Sequence, residues 1–408
     1  MKCGLLGRKL SHSYSPEIHE FLGDYSYVLF EKEPEEIEDF LKNGDFTGIN
    51  VTIPYKKDVI PFLDELSPTA IKMGSVNTVI RRADGTLFGH NTDYFGFTSM
   101  VFRSGIDVSG KKVLVLGSGG TSNTAVKALE DLGAEVIIIS RSGENNYENL
   151  YLHKDAAVIV NTTPVGMYPN TGVSPLDLNL FPQLEGVLDV IYNPAKTKLL
   201  MDAEQLGLAH ENGLWMLVAQ AKEAAEYFLG ADLPDSLTES VYNKMSAKMK
   251  NIVLIGMPGC GKSTVASLLA AKLGRTVADA DSEIEKIAGK SIPRIFAEDG
   301  EETFRRFETQ VLEELGKQSQ LIIATGGGCV TKSRNYPLLH QNGTIFWLLR
   351  DLASLPTDGR PLSQTNKPAD LYAIRKPYYE SFADCQVNNN HDISQTAEHI
   401  LAILEDQI

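Results

Sequence analysis

GMPGCGKST, at residues 256–264, directly follows the apolar run Ile252–Ile255. It matches the phosphate-loop pattern G-x-x-x-x-G-K-[ST], and a strand before the loop and a helix after it are the context that this motif requires. In such a loop, backbone N–H groups surround the phosphates, the lysine neutralises the β and γ oxygens, and the serine hydroxyl binds Mg²⁺. The stretch therefore predicts an ATP site formed by Gly256, Gly259, Gly261, Lys262, Ser263 and Thr264.

The position of this loop in the chain indicates two joined proteins. A strand that enters a phosphate loop normally opens a nucleotide-binding domain, yet here Met249 and everything before it precede the strand. A chain of 408 residues is also too long for one hydrophobic core. Met249 stands where a second protein would start, so we predict two enzymes joined end to end.

The composition is that of a globular protein whose partners are small molecules. Hydrophobic residues make up 43% and charged residues 22% of the chain, which is ordinary for folded domains. The net charge of −15 argues against nucleic acid as a partner, because no basic patch is available to replace phosphate counterions. The sequence predicts no membrane span and no signal peptide. Four distant cysteines without a C-x-x-C pair suggest neither disulfides nor a zinc site, so a cytoplasmic protein is expected.

The order of apolar runs and helical segments predicts an α/β fold in three parts. Residues 1–100, with about 213–240, are predicted to form an α/β substrate domain with short strands at 27–30 and 48–51 and an acidic helix near 35–41. Residues 101–212 are predicted to form a Rossmann-like domain around the buried strand at 112–116. After a short helix, residues 241–250 are the predicted linker, and residues 251–408 are predicted to form a P-loop domain with a parallel sheet. The sequence leaves the oligomeric state open.

A second glycine loop, Gly117-Ser118-Gly119-Gly120, lies between the strand at 112–116 and a predicted helix at 122–132. Glycines there let the backbone approach a pyrophosphate, which the helix N-terminus attracts. Ser122 replaces the third glycine of G-x-G-x-x-G, so the loop alone also fits a tight turn in another α/β domain. Where an NAD site would place an acid, after the next strand, the chain has Ser140-Arg141-Ser142. This favours the 2′-phosphate of NADP, the alternative being an ordinary exposed arginine.

Five ordered motifs in the first 240 residues point to one family. They are SHSYSP (Ser11–Pro16), GINVTIPYK (Gly48–Lys56), GSVNTV (Gly74–Val79), GHNTDYFG (Gly89–Gly96) and GLWMLVAQA (Gly213–Ala221). Together they closely resemble shikimate dehydrogenase, over nearly all of residues 1–240. The resemblance implies reduction of 3-dehydroshikimate to shikimate by NADPH.

The resemblance also implies a role for each matching residue. Three of them would hold the substrate carboxylate, namely Ser13, Ser15 and Tyr192. Three would orient the ring hydroxyls, namely Thr52, Asn77 and Gln220. The NADP contacts would come from Gly117, Gly119, Gly120, Arg141 and Gly213.

Lys56 and Asp93 would be the catalytic pair. Hydride delivery to a ketone builds negative charge on its oxygen, so a proton donor or a cation must lie within hydrogen-bond reach. A lysine fills both roles, and a carboxylate orients it; which of the two passes the proton stays open. Taken alone, Lys56 fits a surface lysine and Asp93 fits a helix N-cap.

The motifs after the phosphate loop resemble a second family. Asp279-Ala280-Asp281 is followed by GKSIPRIFAEDGEETFRRFE (Gly289–Glu308), TGGGCV (Thr325–Val330), GRPL (Gly359–Leu362) and Arg375. This order closely resembles shikimate kinase over nearly all of residues 250–408. The lid segment before RPL lacks the second arginine that the family often has there.

This second resemblance implies a substrate site and a metal site. Arg305 and Arg375 would bind the substrate carboxylate, Gly327 and Gly328 would offer backbone contacts, and Asp281 would accept hydrogen bonds from the hydroxyls and serve as base. Glu308 would hold Arg305 in place. Asp279 would support Mg²⁺ through water, beside Ser263. Arg360 would belong to a mobile lid. Taken singly, Arg305 also fits a solvated helix face, Asp279 and Asp281 fit a loop, and the glycine triplet fits a turn.

The favoured hypothesis is a bifunctional enzyme that uses NADP(H), ATP and Mg²⁺. The two halves support each other, because the product implied by the first is the substrate implied by the second. One alternative is that the first half acts on quinate or a related acid. Another is a non-catalytic metabolite sensor, against which the retained residues Lys56, Asp93, Lys262, Ser263, Asp281 and Arg305 argue.

Overall fold

The computed structural model describes residues 1–10, 13–355 and 368–406 and divides into two compact units. Unit 1 consists of Met1–Val165, Ser174–Tyr192 and Asp202–Met245. Unit 2 consists of Gly166–Val173, Asn193–Met201 and Ser246–Ile408. The predicted α/β class is confirmed: each unit combines helices with parallel strand pairs.

The first sheet of unit 1 is mixed and has the order β2-β1-β3-β5-β6-β4. Its strands are β1 Lys2–Gly7, β2 Ser26–Glu31, β3 Gly48–Val51, β4 Glu65–Leu66, β5 Thr78–Arg81 and β6 Leu87–His90. The helices of this region are α1 Ser15–Glu20, α2 Ile37–Asn43, α3 Pro68–Met73 and α4 Asp93–Ser104. Antiparallel pairs join β5 to β3 and to β6. One apolar core, with Leu6, Leu41, Ile49 and Val79 fully or almost fully buried, lies within this part.

The second sheet of unit 1 is parallel throughout and has the order β11-β10-β9-β7-β8. Its elements are β7 Lys112–Leu116, α5 Gly120–Asp131, β8 Glu135–Ile139, β9 Val158–Asn161, β10 Gly186–Asp189, α6 Lys198–Gln205, β11 Ala209–Asn212 and α7 Leu214–Leu229. In the apolar run of β7, Val113–Leu116 are completely buried, as expected for a strand covered on both faces. In open sheets of this type, ligands bind at the carboxyl ends of the strands, where the strand order reverses. The loop after β7 lies at that place, between β8 and β9.

Residues 235–249 form one 15-residue helix, α8 Asp235–Met249, where we had predicted a short helix followed by a linker. The reason is a helical apolar spacing that extends into the predicted linker. Val241, Met245 and Met249 recur every four residues and are all at most 2% exposed, so burial of one helix face stabilises the whole segment.

Unit 2 contains a parallel five-stranded sheet with the order β13-β14-β12-β15-β16. Its strands are β12 Asn251–Ile255, β13 Val277–Asp279, β14 Ile322–Ala324, β15 Gly343–Leu349 and β16 Cys385–Asn388. Its helices are α9 Lys262–Leu273, α10 Ala280–Ala288, α11 Ile292–Gly316, α12 Asn335–His340, α13 Pro368–Phe382 and α14 Ile393–Asp406. The helix α11 is kinked at Gly300, which has a φ of 81°. This sheet confirms the predicted P-loop architecture.

Two segments from the middle of the chain, 166–173 and 193–201, belong to unit 2, which the sequence did not predict. Backbone hydrogen bonds explain part of this. The N–H of Lys196 donates to the carbonyl of Gln341 at 2.8 Å, and the N–H of Ala195 donates to Oδ1 of Asn342 at 3.1 Å. Among the residues that the structure describes, no helix is long and apolar enough to cross a bilayer.

Candidate active sites

The substrate residues predicted in the first half line one cavity of about 480 Å³ in unit 1. They come from separate motifs, but the fold brings them together. The predicted residues on its wall are Ser13, Ser15, Thr52, Lys56, Asn77, Asp93, Tyr192, Gly213 and Gln220. The sequence stretches that had suggested one family therefore form one continuous surface.

Lys56 and Asp93 form an ion pair in this cavity. Nζ of Lys56 donates to Oδ2 of Asp93 at 2.6 Å, and the two side chains remain 29% and 17% exposed. Asp93 is the first residue of α4, and Thr92, not Asp93, occupies the N-cap position. The carboxylate of Asp93 therefore pairs with Lys56 and does not cap the helix. A cation held by a carboxylate and still open to the cavity is suited to the oxygen of a reacting carbonyl.

A buried hydrogen-bond network fixes the amides of the site. Oδ1 of Asn77 accepts the backbone N–H of Thr92 at 2.7 Å, and Nδ2 of Asn77 donates to Oγ1 of Thr92 at 3.0 Å. The same Thr92 hydroxyl lies 3.3 Å from Oε1 of Gln220. Thr92 is completely buried and joins the two predicted ring-binding residues. Sequence reasoning missed it, although it lies inside the GHNTDYFG motif.

The predicted carboxylate end of the cavity contains hydroxyl groups. The N–H of Ser15 donates to Oγ of Ser13 at 3.2 Å, so the two serines are held side by side. The ring of Tyr192 meets that of Tyr14 edge-on, with centroids 6.2 Å apart. Burial raises the pKa of Tyr192, which keeps its hydroxyl protonated as a donor. The cavity wall also includes Lys9, Asn50 and Thr121, which the sequence had not singled out.

The glycine loop after β7 has the geometry of a phosphate-binding turn. Gly117 has a φ of 111°, a conformation that favours glycine, and a Cβ there would approach Oγ1 of Thr162 to 2.9 Å. No atom lies within 4 Å of a Cβ built on Gly119 or on Gly120, so the backbone at the start of α5 is open to a ligand. The loop therefore fits a dinucleotide pyrophosphate.

Ser122, which replaces the third glycine of the dinucleotide pattern, stabilises this turn. Its hydroxyl donates to the carbonyl of Gly117 at 2.7 Å, so it closes the loop rather than blocking it. Arg141 lies after β8, exposed in a turn and outside the described cavity wall. Its guanidinium is therefore accessible to the 2′-phosphate that we assigned to it.

Unit 2 contains a second cavity of about 540 Å³ around the phosphate loop. The predicted residues on its wall are Gly259, Gly261, Lys262, Ser263, Thr264, Asp279, Asp281, Arg305, Gly327, Gly328 and Arg375. Gly256 lies at the start of the loop with a φ of 142° but is not part of the wall. Arg360 and the GRPL segment lie outside the described residues.

The phosphate loop joins β12 to α9 and brings a cation to the start of the helix. Nζ of Lys262 donates to the carbonyls of Gly256 and Met257 at 3.0 and 3.1 Å. Gly261 adopts a φ of 96° immediately before the helix. The loop backbone and the helix N-terminus thus form an anion site.

Ser263 and Asp279 fit the magnesium chemistry expected of them. Oγ of Ser263 donates to Oδ2 of Asp279 at 2.8 Å, so a hydroxyl and a carboxylate oxygen meet at the edge of the loop. In the part of the chain that the structure describes, no group of three or more His, Cys, Asp or Glu side chains could hold a metal. Magnesium at kinase sites keeps several waters and binds mainly to phosphates, so one or two protein oxygens suffice.

The two predicted carboxylate-binding arginines are buried and anchored. Nη1 of Arg305 donates to Oε2 of Glu308 at 2.8 Å, and the side chains of the pair are 4% and 0% exposed. The predicted contact between them is therefore present. Nη1 of Arg375 donates to the carbonyl of Gly327 at 3.1 Å. Since Arg presents five donors, both guanidinium groups keep N–H groups for a ligand.

The glycine triplet is required by close packing. A Cβ on Gly327 would lie 2.6 Å from Cδ of Pro258, and one on Gly328 would collide with the guanidinium of Arg305. The hydroxyl of Tyr379, another residue absent from our prediction, donates to the carbonyl of Gly327 at 2.5 Å. The triplet therefore lies directly between the phosphate loop and the arginines.

Burial raises the pKa of two carboxyl groups near the triplet, Asp281 and Glu308, although Lys262 lowers it for the former and Arg305 for the latter. A Cβ on Gly326 would approach Oδ1 of Asp281 and Oε1 of Glu308 equally closely, to 2.9 Å. Asp281 lines the cavity. A carboxylate that is costly to keep ionised is a suitable acceptor for a hydroxyl proton.

Comparison with known protein families gives one match in each half of the chain. Residues 5–79 match the family model of the shikimate dehydrogenase substrate binding domain, and residues 258–405 match that of shikimate kinase. A shikimate dehydrogenase (NADP(+)) from Clostridium perfringens strain SM101 is 37% identical over 268 residues, which cover 60% of this chain and 98% of that protein.

Solved shikimate dehydrogenase structures are similar to 60% of the chain. Shikimate dehydrogenase 1 from Peptoclostridium difficile is 37% identical, has a TM-score of 0.54, and is matched over 60% of this chain and 97% of its own. Shikimate 5-dehydrogenase from Thermus thermophilus, in complex with NADP(H) and shikimate, is 31% identical with a TM-score of 0.54 and is matched over 60% and 99%.

Proposed function

The chain belongs to the shikimate dehydrogenase family over its first 60% and has a shikimate kinase domain after it, and from this premise we propose how one chain catalyses both reactions. Unit 1 reduces 3-dehydroshikimate to shikimate with NADPH, and unit 2 phosphorylates shikimate with ATP. The observation that carries this proposal is that the described motif residues of each family meet on the wall of a single cavity. Because its four cysteines are free thiols, we place the enzyme in the cytoplasm.

In unit 1, Lys56 is the group that meets the reacting oxygen. NADPH supplies the hydride to the carbonyl carbon when it is bound. Lys56 stabilises the negative charge that develops on the oxygen and holds the proton that this oxygen takes up. Asp93 orients the ammonium group through the 2.6 Å hydrogen bond. Ser13, Ser15 and Tyr192 donate to the carboxylate, while Asn77 and Gln220, fixed by Thr92, orient the ring.

In unit 2, the residues position the acid and neutralise phosphate charge. Arg305 and Arg375 bind the carboxylate, and Asp281 accepts the proton of the hydroxyl that attacks the γ-phosphorus. Lys262 and the loop N–H groups stabilise the phosphate oxygens, which is the main requirement of phosphoryl transfer. Ser263 and, through water, Asp279 would hold Mg²⁺, which neutralises the β and γ oxygens when it is bound.

One reaction mixture tests both activities. Purified protein receives 3-dehydroshikimate, NADPH and Mg-ATP, and NADPH loss and ADP formation are followed separately. We expect NADPH loss first, followed by ADP formation that depends on it. When NADPH is left out, addition of shikimate to the protein and Mg-ATP should restore ADP formation. Binding of both substrates without turnover would instead support the sensor hypothesis.

Two lysine variants separate the two sites. Lys56→Ala should abolish NADPH oxidation and leave phosphorylation of added shikimate unchanged, whereas Lys262→Ala should do the reverse. The matched controls are Lys57→Ala, the exposed neighbour of Lys56, and Lys272→Ala, near the other end of α9. If Lys262→Ala also stopped NADPH oxidation, the two sites would not be independent.

The preference between shikimate and quinate is a finer part of the proposal. The groups that face the ring are hydroxyls and amides, which can hydrogen-bond either acid. Oxidation rates with both acids, each with NADP⁺ and NAD⁺, measure the preference directly. A higher kcat/KM with quinate than with shikimate would show that quinate is the preferred substrate of unit 1. It would leave the proposed phosphorylation of shikimate by unit 2 unaffected.

A further inference from the structure

Arg350 lies beside the phosphate loop. It directly follows β15, which pairs in parallel with β12, and Trp347 is the register partner of Ile255. Because the carboxyl ends of parallel strands meet at one edge of the sheet, the residue after β15 and the loop after β12 are neighbours. Nη1 of Arg350 is 3.6 Å from the position that a Cβ atom on Gly261 would occupy.

Arg350 differs from the other cations on the cavity wall. Of the four that the described residues contribute, Lys262 donates to loop carbonyls, Arg305 pairs with Glu308, and Arg375 donates to Gly327. Arg350 has neither a hydrogen bond nor an ion pair within the described ranges. Its side chain is half-buried and lines the cavity, so its charge faces the site without an ion pair to any described residue.

The polar side chains next to Arg350 form hydrogen bonds with other residues. The N–H of Asp351 donates to Oδ1 of Asn390 at 2.7 Å, and its carboxylate accepts from Nδ2 of Asn390 at 3.2 Å. Nδ2 of Asn389 donates to the carbonyl of Cys260 at 2.5 Å, and its Oδ1 accepts from Thr396 at 2.7 Å. These contacts fix the surroundings of Arg350, and among the described residues none of them involves its guanidinium.

We propose that Arg350 binds the phosphate chain of the nucleotide, from the Gly261 side of the loop. The inference rests on the proposed ATP-dependent reaction of unit 2. A guanidinium presents paired N–H donors that match phosphate oxygens, and a partly desolvated cation gains most from an anion in such a place. Lys262 lies inside the loop, so the two cations contact the phosphates from different directions.

The test compares Arg350→Gln with Arg350→Lys in the full chain. Isothermal titration calorimetry measures binding of ATP, inorganic tripolyphosphate and adenosine, and steady-state kinetics give KM for ATP and for shikimate. The control is Arg334→Gln, which removes the same charge from an exposed residue outside the cavity wall. NADPH oxidation by unit 1 and KM for shikimate report whether each variant is folded.

We expect Arg350→Gln to weaken ATP and tripolyphosphate binding equally, by roughly tenfold to a hundredfold, because a hydrogen bond to a charged group is lost. Adenosine binding and KM for shikimate should not change, and Arg350→Lys should recover part of the affinity. Unchanged tripolyphosphate binding would overturn the inference, as would a loss confined to adenosine, which indicates base stacking.

The wild-type protein and Lys262→Ala separate this inference from the proposed function. If the wild-type protein failed to bind ATP, the proposed phosphorylation itself would be wrong. If Lys262→Ala lost ATP binding while Arg350→Gln kept it, only the role of Arg350 would be wrong.

Discussion

The two cavities are built from different chemical groups, although we propose that both bind shikimate. The cavity of unit 1 is lined mainly by hydroxyls, amides and apolar groups around the Lys56–Asp93 pair, with Lys9 as a further cation. Among the described residues, the cavity of unit 2 is lined by four cations and four carboxylates, which are Lys262, Arg305, Arg350, Arg375, Asp279, Asp281, Glu285 and Glu308.

The chemistry of each reaction explains this difference. Reduction of a ketone develops a single negative charge, so one oriented cation can stabilise it. Phosphoryl transfer brings a polyanion next to a carboxylate, so several cations must be fixed in place and separated. Glu308 fixes Arg305, whereas backbone carbonyls fix Lys262 and Arg375. We therefore predict that removing a charged side chain from the cavity of unit 2 lowers its activity much more than removing a polar side chain from the cavity of unit 1 lowers the activity there.

Apart from the two lysine variants above, Arg305→Met should have the largest effect. It should reduce kcat/KM for shikimate in phosphorylation by about a thousandfold, as expected for one partner of a buried charged contact. It also leaves Glu308, which is completely buried, without its counter-charge. We expect the free energy of unfolding to fall by about 3–5 kcal/mol, measured by denaturant unfolding of unit 2.

The double variant Arg305→Met/Glu308→Leu separates stability from binding. Replacing both charges by apolar groups should restore most of the stability but none of the phosphorylation. NADPH oxidation is the internal control and should not change in either variant. Recovery of phosphorylation in the double variant would show that Arg305 only supports the fold.

Asp281 should produce the next largest effect, through its pH dependence. Burial raises the pKa of this carboxyl, although Lys262 lowers it, and the group must be ionised to accept a proton. Phosphorylation should therefore decline, as the pH is lowered, at a higher pH than for an ordinary aspartate. Asp281→Asn should remove this acid limb and reduce the rate by about a hundredfold or more.

The same shift has a consequence for stability. Because the folded-state pKa is raised, the ionised form of Asp281 is less favourable in the folded than in the unfolded chain. Stability is therefore lost as the pH rises from the ordinary aspartate range through the raised pKa. Asp281→Asn should unfold at a higher temperature than the wild-type protein at neutral pH. A lower melting temperature would contradict the burial argument.

Arg141→Gln tests the one charge that we assign to the cofactor site of unit 1. Its guanidinium is exposed, so we expect only about a tenfold increase in KM for NADPH. KM for NADH should stay the same, because NADH has no 2′-phosphate. Arg82→Gln, an equal loss of charge on the same unit, is the control and should change neither value. Equal effects on both nucleotides would contradict the assignment.

The smallest effect is expected for Tyr379→Phe. The change removes the hydroxyl that donates to Gly327 but keeps the ring that stacks on Trp347 with centroids 5.5 Å apart. Arg375 still donates to the same carbonyl, so KM for shikimate should rise by only about two- to tenfold. An increase in KM for ATP alone would show that Tyr379 supports the phosphate loop instead of the glycine triplet.

The sequence by itself determined both chemistries and most of the elements around them. The phosphate loop is specified by local backbone geometry, since Gly256, Gly259 and Gly261 all adopt a positive φ. The apolar runs of β7 and β12 mark buried strands because both faces of such strands must be covered. Lys56, Asp93, Arg305 and Asp281 were found through their motifs, and the cavities contain them all.

Only the tertiary structure decided which distant groups support those residues. Thr92 joins Asn77 to Gln220, and Tyr379 reaches Gly327 from a helix 52 positions later in the chain. Arg350 becomes a site residue only because β15 pairs with β12. The continuous helix α8 depends on burial of Val241, Met245 and Met249, and the grouping of 166–173 with unit 2 was visible only in the structure. Local patterns record backbone conformation, whereas contacts between distant residues arise only when the chain packs.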